Sequence, residues 1–143
     1  MIEQKNAKFI KEHLPTIHAV PGQIHQLFYN LINNSLKFSK PGYPVHITIR
    51  SAPCTEQTLI RSKHLDESKQ YIRVDVADNG IGFDQKYAQQ IFELFKRLHA
   101  KNEFEGTGIG LALCKKIVEN HNGAIWADGQ SGKGSTFSIL LPA

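Results

Sequence analysis

Two Pro-Gly pairs, Pro21-Gly22 and Pro41-Gly42, bracket residues 23–38, where Ile24, Leu27, Phe28, Leu31 and Leu36 recur near helical spacing. Breakers on both sides confine this run to one amphipathic helix, whose apolar face needs a partner surface. The chain supplies one. Residues 45–50 (VHITIR) and 71–78 (YIRVDVAD) alternate as half-buried strands, joined by the polar stretch 51–70. After the turn Asn79-Gly80-Ile81-Gly82, residues 85–94 read as a second helix, and residues 96–107, which lack periodicity, read as a mobile loop. A third helix begins inside GTGIGLALCKKIVENH, with Leu113, Ile117 and Val118 facing inward and Asn122-Gly123 as its stop. Strands at 124–128 and 135–141 close the chain, and LPTIHAV (14–20) is a short extended segment. Residues 1–13 are either a linker or a first strand. The order predicts an α+β fold, a two-layer sandwich of a mixed sheet with helices on one face.

A chain of 143 residues forms one ordinary domain, and 41% hydrophobic with 21% charged residues is a globular balance, not a disordered or fibrous one. The net charge of +4 is spread along the chain without a basic run flanked by aromatics, which argues against nucleic acid and suits a polyphosphate ligand. Cys54 and Cys114 lie far apart with no C-x-x-C, so neither a disulfide framework nor a zinc site is indicated, and a reducing compartment fits. No apolar stretch is long enough to span a membrane, and the N-terminal residues are too polar for a signal peptide. The expected location is cytoplasmic, including as the soluble end of a longer membrane receptor, with no direct membrane contact.

Three places carry chemistry. On the first helix, Asn34 falls about 40° from Asn30 and Lys37 about 20° to its other side, so all three share a stripe. Amide oxygens are hard ligands suited to Mg²⁺, and a lysine is a point charge suited to phosphate, although a solvated helix face looks the same. Next, Asp78 ends a strand and Gly80 and Gly82 follow at once. A carboxylate there can accept from an exocyclic amine such as that of adenine while the glycines leave room for a ring; a plain D-N-G turn is the alternative. Last, Gly106-Thr107-Gly108-Ile109-Gly110 stands directly before the third helix, whose free N–H groups can receive phosphate oxygens. It is not a dinucleotide fingerprint, because Leu111 and Leu113 fill the places of its third small residue. Nor is Gly132-Lys133-Gly134 a P-loop, since Ala127 stands where the first glycine is required.

All three occur in order, with Phe92-x-x-Phe95 between the second and third. The pattern Asn30-Leu31-x-x-Asn34-x-x-Lys37-Phe38, Asp78-x-Gly80-x-Gly82, Phe92-x-x-Phe95, Gly106-x-Gly108-x-Gly110-Leu111 resembles the four nucleotide-binding boxes of sensor histidine kinase ATP-binding domains. These share a superfamily with DNA gyrase, the ninety-kilodalton heat-shock chaperone and MutL. The likeness covers roughly residues 14–142, and FKRLH with GTGIGLALCKKIVE is especially similar to phytochrome-like and hybrid sensors. The resemblance implies a catalytic domain at residues 14–143 holding ATP and Mg²⁺ under a lid at residues 96–107. By that resemblance Asn34 would hold Mg²⁺ with Asn30 supporting it, and Lys37 and Arg97 would meet the phosphates. Asp78 would read the adenine amine in a pocket shaped by Gly80 and Gly82, and Thr136 would add a polar contact near adenine. Gly106, Thr107, Gly108 and Gly110 would cradle the phosphates, with Phe38 and Leu111 completing the nucleotide site.

Two departures bear on function. The ATPase branches place a water-activating glutamate where this chain has Asn30, so phosphoryl transfer to a protein side chain is expected in place of fast hydrolysis. Ser35 stands where alanine is usual, a change the helix is expected to absorb. The seven histidines, among them His13, His18, His25 and His46, match no phosphoacceptor motif, and His64, His99 and His121 read as solvated. Cys114 reads as core. The chain is thus expected to phosphorylate a histidine on a separate dimerisation hairpin, which serves a response regulator in turn. A regulatory module that binds ATP without phosphotransfer is the alternative reading.

Overall fold

The computed structural model describes residues 8–11, 19–93 and 110–143. In chain order these form β1 (Lys8–Lys11), α1 (Pro21–Lys37), β2 (His46–Cys54), α2 (Gln57–Ser62), β3 (Tyr71–Asp78), two 3₁₀ turns (Gln85–Tyr87 and Gln90–Phe92), α3 (Gly110–Asn120), β4 (Ala124–Gln130) and β5 (Gly134–Pro142). The sheet has five strands in the order β1-β2-β3-β5-β4. β1 runs parallel to β2 and the other neighbours are antiparallel, so the sheet is mixed and the fold is α+β, as the pattern predicts. The extended segment read at 14–20 lies mostly outside the described residues, as do the lid at 96–107, Arg97, Gly106, Thr107 and Gly108.

Period-two alternation decides which side of the sheet is covered. Ile47, Ile49, Val74, Val76, Phe137, Ile139 and Ala127 point to one face and join Leu27, Leu31 and Leu36 of α1 with Cys114, Ile117 and Val118 of α3 in the main core. Ile24 and Phe28 pack against that core half-buried. α1 starts at Pro21 because the N–H that proline lacks is unpaired in a first turn anyway, and Val20 O caps Gln23 N and Ile24 N at 3.0 Å each. Leu113 departs from expectation: it is 41% exposed. The inward stripe of α3 is Cys114, Ile117 and Val118, and Leu113 lies about 100° around the helix from Cys114. Asn122 adopts a left-handed φ of 59° and Gly123 N bonds Val118 O at 3.0 Å, so the expected stop is in place.

Two other elements and one histidine differ from the sequence pattern. The helix expected over 85–94 is two 3₁₀ turns. Side-chain anchors override the helical run: Gln85 Nε2 donates to Ala127 O (3.3 Å) and its Oε1 accepts from Gly129 N (2.8 Å), while Phe92 meets Phe137 edge-to-face at 6.0 Å. The polar connection 51–70 contains α2, whose Leu59 and Ile60 cover the reverse face of the sheet with Tyr71, Leu140 and Trp126. Lys63 Nζ sits 4.3 Å from the Trp126 ring centroid on that side. His121 is half-buried, not solvated: Val20 N donates to its Nε2 (3.1 Å) and its Nδ1 lies 2.8 Å from Ile117 O. The tautomer is therefore Nδ1–H, and the ring ties the end of α3 to the residue before α1.

Candidate functional site

β3 runs with Val74 and Val76 toward the helices, so Asp78 at its end faces the same way. Three donors converge on its carboxylate. Gly80 N–H reaches Oδ1 at 2.9 Å, and Ser35 Oγ (2.9 Å) and Ser135 Oγ (3.0 Å) both reach Oδ2. Register explains the last contact, since Ser135 pairs with Asp78 across β3 and β5. Thr136, expected near adenine, pairs with Ala77 and lies on the opposite face of β5 from Phe137. Alternation gives the signal that finds Ser135: Phe137, Ile139 and Leu141 face the core, so Ser135 shares their side and Thr136 does not. Ser35, in turn, is not an inert change of residue, because the helix puts its hydroxyl to use.

The turn after Asp78 is bolted to its surroundings. Asn79 accepts from His46 N at 2.8 Å and donates to Pro44 O at 3.0 Å, and Ile81 N donates to Phe38 O at 2.9 Å. A Cβ on Gly80 would lie 2.4 Å from Phe38 O, and one on Gly82, where φ is +66°, would lie 2.1 Å from Gln130 O. The sequence reading gave these glycines the task of making room for a ring. In the structure they let the turn approach the protein's own backbone, joining the end of α1 to the β4–β5 turn.

On α1, Asn30, Asn34 and Lys37 are half-buried. Gln26 Nε2 donates to Asn30 Oδ1 at 3.1 Å, the Asn30 amide lies against the Cys114 thiol, and Asn33 Oδ1 is buried with no hydrogen-bond partner among the described residues. An amide oxygen of this kind can accept from a polar ligand, and amide oxygens are hard donors of the type Mg²⁺ takes. Among the described residues no group of three or more His, Cys, Asp or Glu is placed to form a metal cage. At the start of α3, a Cβ on Gly110 would meet no described residue within 4 Å, while Leu111 packs against the core.

Cys114 lies under this helix pair. Burial, opposed by a weaker bond with Asn30, pushes its thiol up to about 12, and its Sγ donates to Leu27 O at 3.7 Å. Thiolate is the reactive form, so Cys114 stays inert at neutral and mildly alkaline pH. Iodoacetamide at pH 8 is expected to label the native chain once, at the half-buried Cys54, and twice after denaturation, counted by mass. Labelling of Cys114 as fast as Cys54 would mean that α1 and α3 part readily.

Over residues 19–143 the sequence matches the family model described as histidine kinase-, DNA gyrase B- and HSP90-like ATPase. The chain belongs to this family. Within it, the chain is 39% identical to Cyanobacterial phytochrome A of Nostoc sp., over 99% of this chain and 16% of that protein. It is 34% identical to the Adaptive-response sensory kinase SasA of a Synechococcus strain, over 99% of this chain and 34% of the kinase. The chain thus spans well under half the length of these relatives. Among solved structures, the catalytic domain of histidine kinase ThkA superposes with a TM-score of 0.71 at 26% identity, covering 99% of this chain and 82% of that one. Full-length ShkA in complex with AMPPNP gives 0.70 at 25% identity, covering 98% and 26%. The chain is an ATP-binding catalytic domain of the histidine kinase type, and no helix among the described residues is long and apolar enough to cross a membrane.

Proposed function

We propose that this domain holds MgATP between α1, α3 and the Asp78 turn and delivers the γ-phosphate to a histidine on a separate dimerisation hairpin, from which a response regulator is served. The observation that carries this reading is the absence of any carboxylate from α1: no Asp or Glu lies within Pro21–Lys37, and Asn30 stands in the stripe that meets the phosphates. An amide cannot take a proton from water, so the helix positions the nucleotide without activating hydrolysis. Asp78 accepts from the adenine amine, Asn34 with Asn30 offers the amide oxygens for Mg²⁺, and Lys37 meets the phosphates. Arg97, Gly106, Thr107, Gly108, Gly110 and Leu111 complete the phosphate end, with Phe38 at the turn. When bound, Mg²⁺ neutralises phosphate charge; the chain's own part is orientation and exclusion of water. ShkA, a relative by structure, is in complex with AMPPNP, which supports a nucleotide as the ligand. This domain comprises β1 together with residues 14–143 and works in the cytoplasm.

The chain mixed with a purified histidine hairpin and γ-labelled ATP is expected to label the hairpin and to hydrolyse little ATP without it. ATP binding without label transfer would make the domain a regulatory module. Hydrolysis at an appreciable rate with no hairpin present would place it with the ATPases.

A further inference from the structure

Ser35 is 1% exposed, in the second half of α1 beside the end of β3. Packing does not require a hydroxyl there: alanine is smaller, apolar and a better helix former. Yet the hydroxyl is spent on the one carboxylate that ends a core strand. Ser35 Oγ and Ser135 Oγ grip Asp78 Oδ2 from two different elements, and Gly80 N–H holds Oδ1. A carboxylate has about four acceptor positions. Three are filled here, all by donors, and the fourth is on Oδ1.

We propose that Ser35 is a specificity-determining positioning residue: by pinning Asp78 Oδ2 it keeps Oδ1 turned to accept from the 6-amino group of a purine, and so sharpens selection of adenine nucleotides. The proposal rests on the reading of Asp78 as the adenine contact. The χ2 torsion of aspartate is broad, so without anchors the carboxylate plane turns freely. Gly80 N–H holds Oδ1 and Ser135 holds Oδ2 from the sheet; the Ser35 hydroxyl, coming from α1 on another side, is the further hold on Oδ2 that restricts the plane most tightly. Only a base that carries a donor at position 6 profits from that plane. A base without one loses nothing when the anchor is removed.

The test is a cycle of two proteins and two nucleotides. ATP and purine riboside triphosphate, which carries hydrogen in place of the 6-amino group, are titrated calorimetrically into the native chain and into Ser35→Ala. The preference for ATP is expected to narrow roughly three- to tenfold in Ser35→Ala, a fraction of one hydrogen bond to a charged group. Affinities are compared within each protein, so any difference in folded fraction cancels. An unchanged ratio, or equal weakening of both nucleotides, overturns the proposal and leaves Ser35 a packing residue. Asp78→Asn serves as the control. If it keeps the full preference for ATP, the reading of Asp78 fails and takes the proposal with it. If it erases the preference while Ser35→Ala does not, only the role of Ser35 is refuted.

Discussion

Asp78→Asn is expected to lower ATP affinity roughly three- to tenfold while the domain still folds. The two halves of this expectation have separate causes. Asparagine keeps one carbonyl oxygen, which can still accept from Gly80 N–H, and its amide can donate to the Ser35 and Ser135 hydroxyls, which rotate to accept. No buried partner is stranded, so the melting temperature should fall by only a few degrees. The nucleotide fares worse. A hydrogen bond to a charged acceptor contributes about 1.5–3 kcal/mol, and the neutral amide oxygen supplies about half of that. Calorimetry against ATP, with a thermal melt of the same sample, reads both halves. Near-native affinity in a folded variant would remove Asp78 from the base pocket, and unfolding would show that the serines cannot turn.

The sheet and its two large helices were legible because long, strongly periodic runs leave little freedom: the β3 and β5 alternations and the α1 stripe each name their own buried face. What the pattern missed is short or tertiary. α2 is six residues with one adjacent apolar pair, too little for a helical period to show. The 3₁₀ turns at Gln85–Tyr87 and Gln90–Phe92 replace a helix because Gln85 is tethered to the backbone of β4, a contact no local window contains. At the site, Asp78, Gly80 and Gly82 stand out by residue type, whereas Ser35 and Ser135 do not. Their importance comes from which strand lies opposite Asp78 and which helix packs over it. Thr136 shows the cost of reading a motif by position alone, since one step along a strand changes the face.

The same tertiary logic governs the second large effect expected, at Gly82. Its φ of +66° is one that side chains rarely adopt, and a Cβ there would lie 2.1 Å from Gln130 O and 2.7 Å from Gly134 O. Both neighbours are backbone atoms, and Gly132 N holds Ile81 O at 2.7 Å across the same junction, so no side chain can swing away. Gly82→Ala therefore adds steric overlap to the left-handed backbone cost of about 1–2 kcal/mol, and a loss of about 4 kcal/mol or more is expected. That corresponds to a drop of roughly 10 °C or more in melting temperature. Gly42 is the matched control: its φ is +81°, but nothing lies within 4 Å of its Cβ position. Gly42→Ala should show the backbone cost alone, about 1 kcal/mol, so the difference between the two melts isolates the contact. Equal melts would mean that the β4–β5 turn yields and that the Asp78 turn is not clamped by it. If the clamp is real, the damage reaches the site as well, because residues 79–82 carry the backbone N–H that holds Asp78 Oδ1, and ATP affinity should fall together with stability.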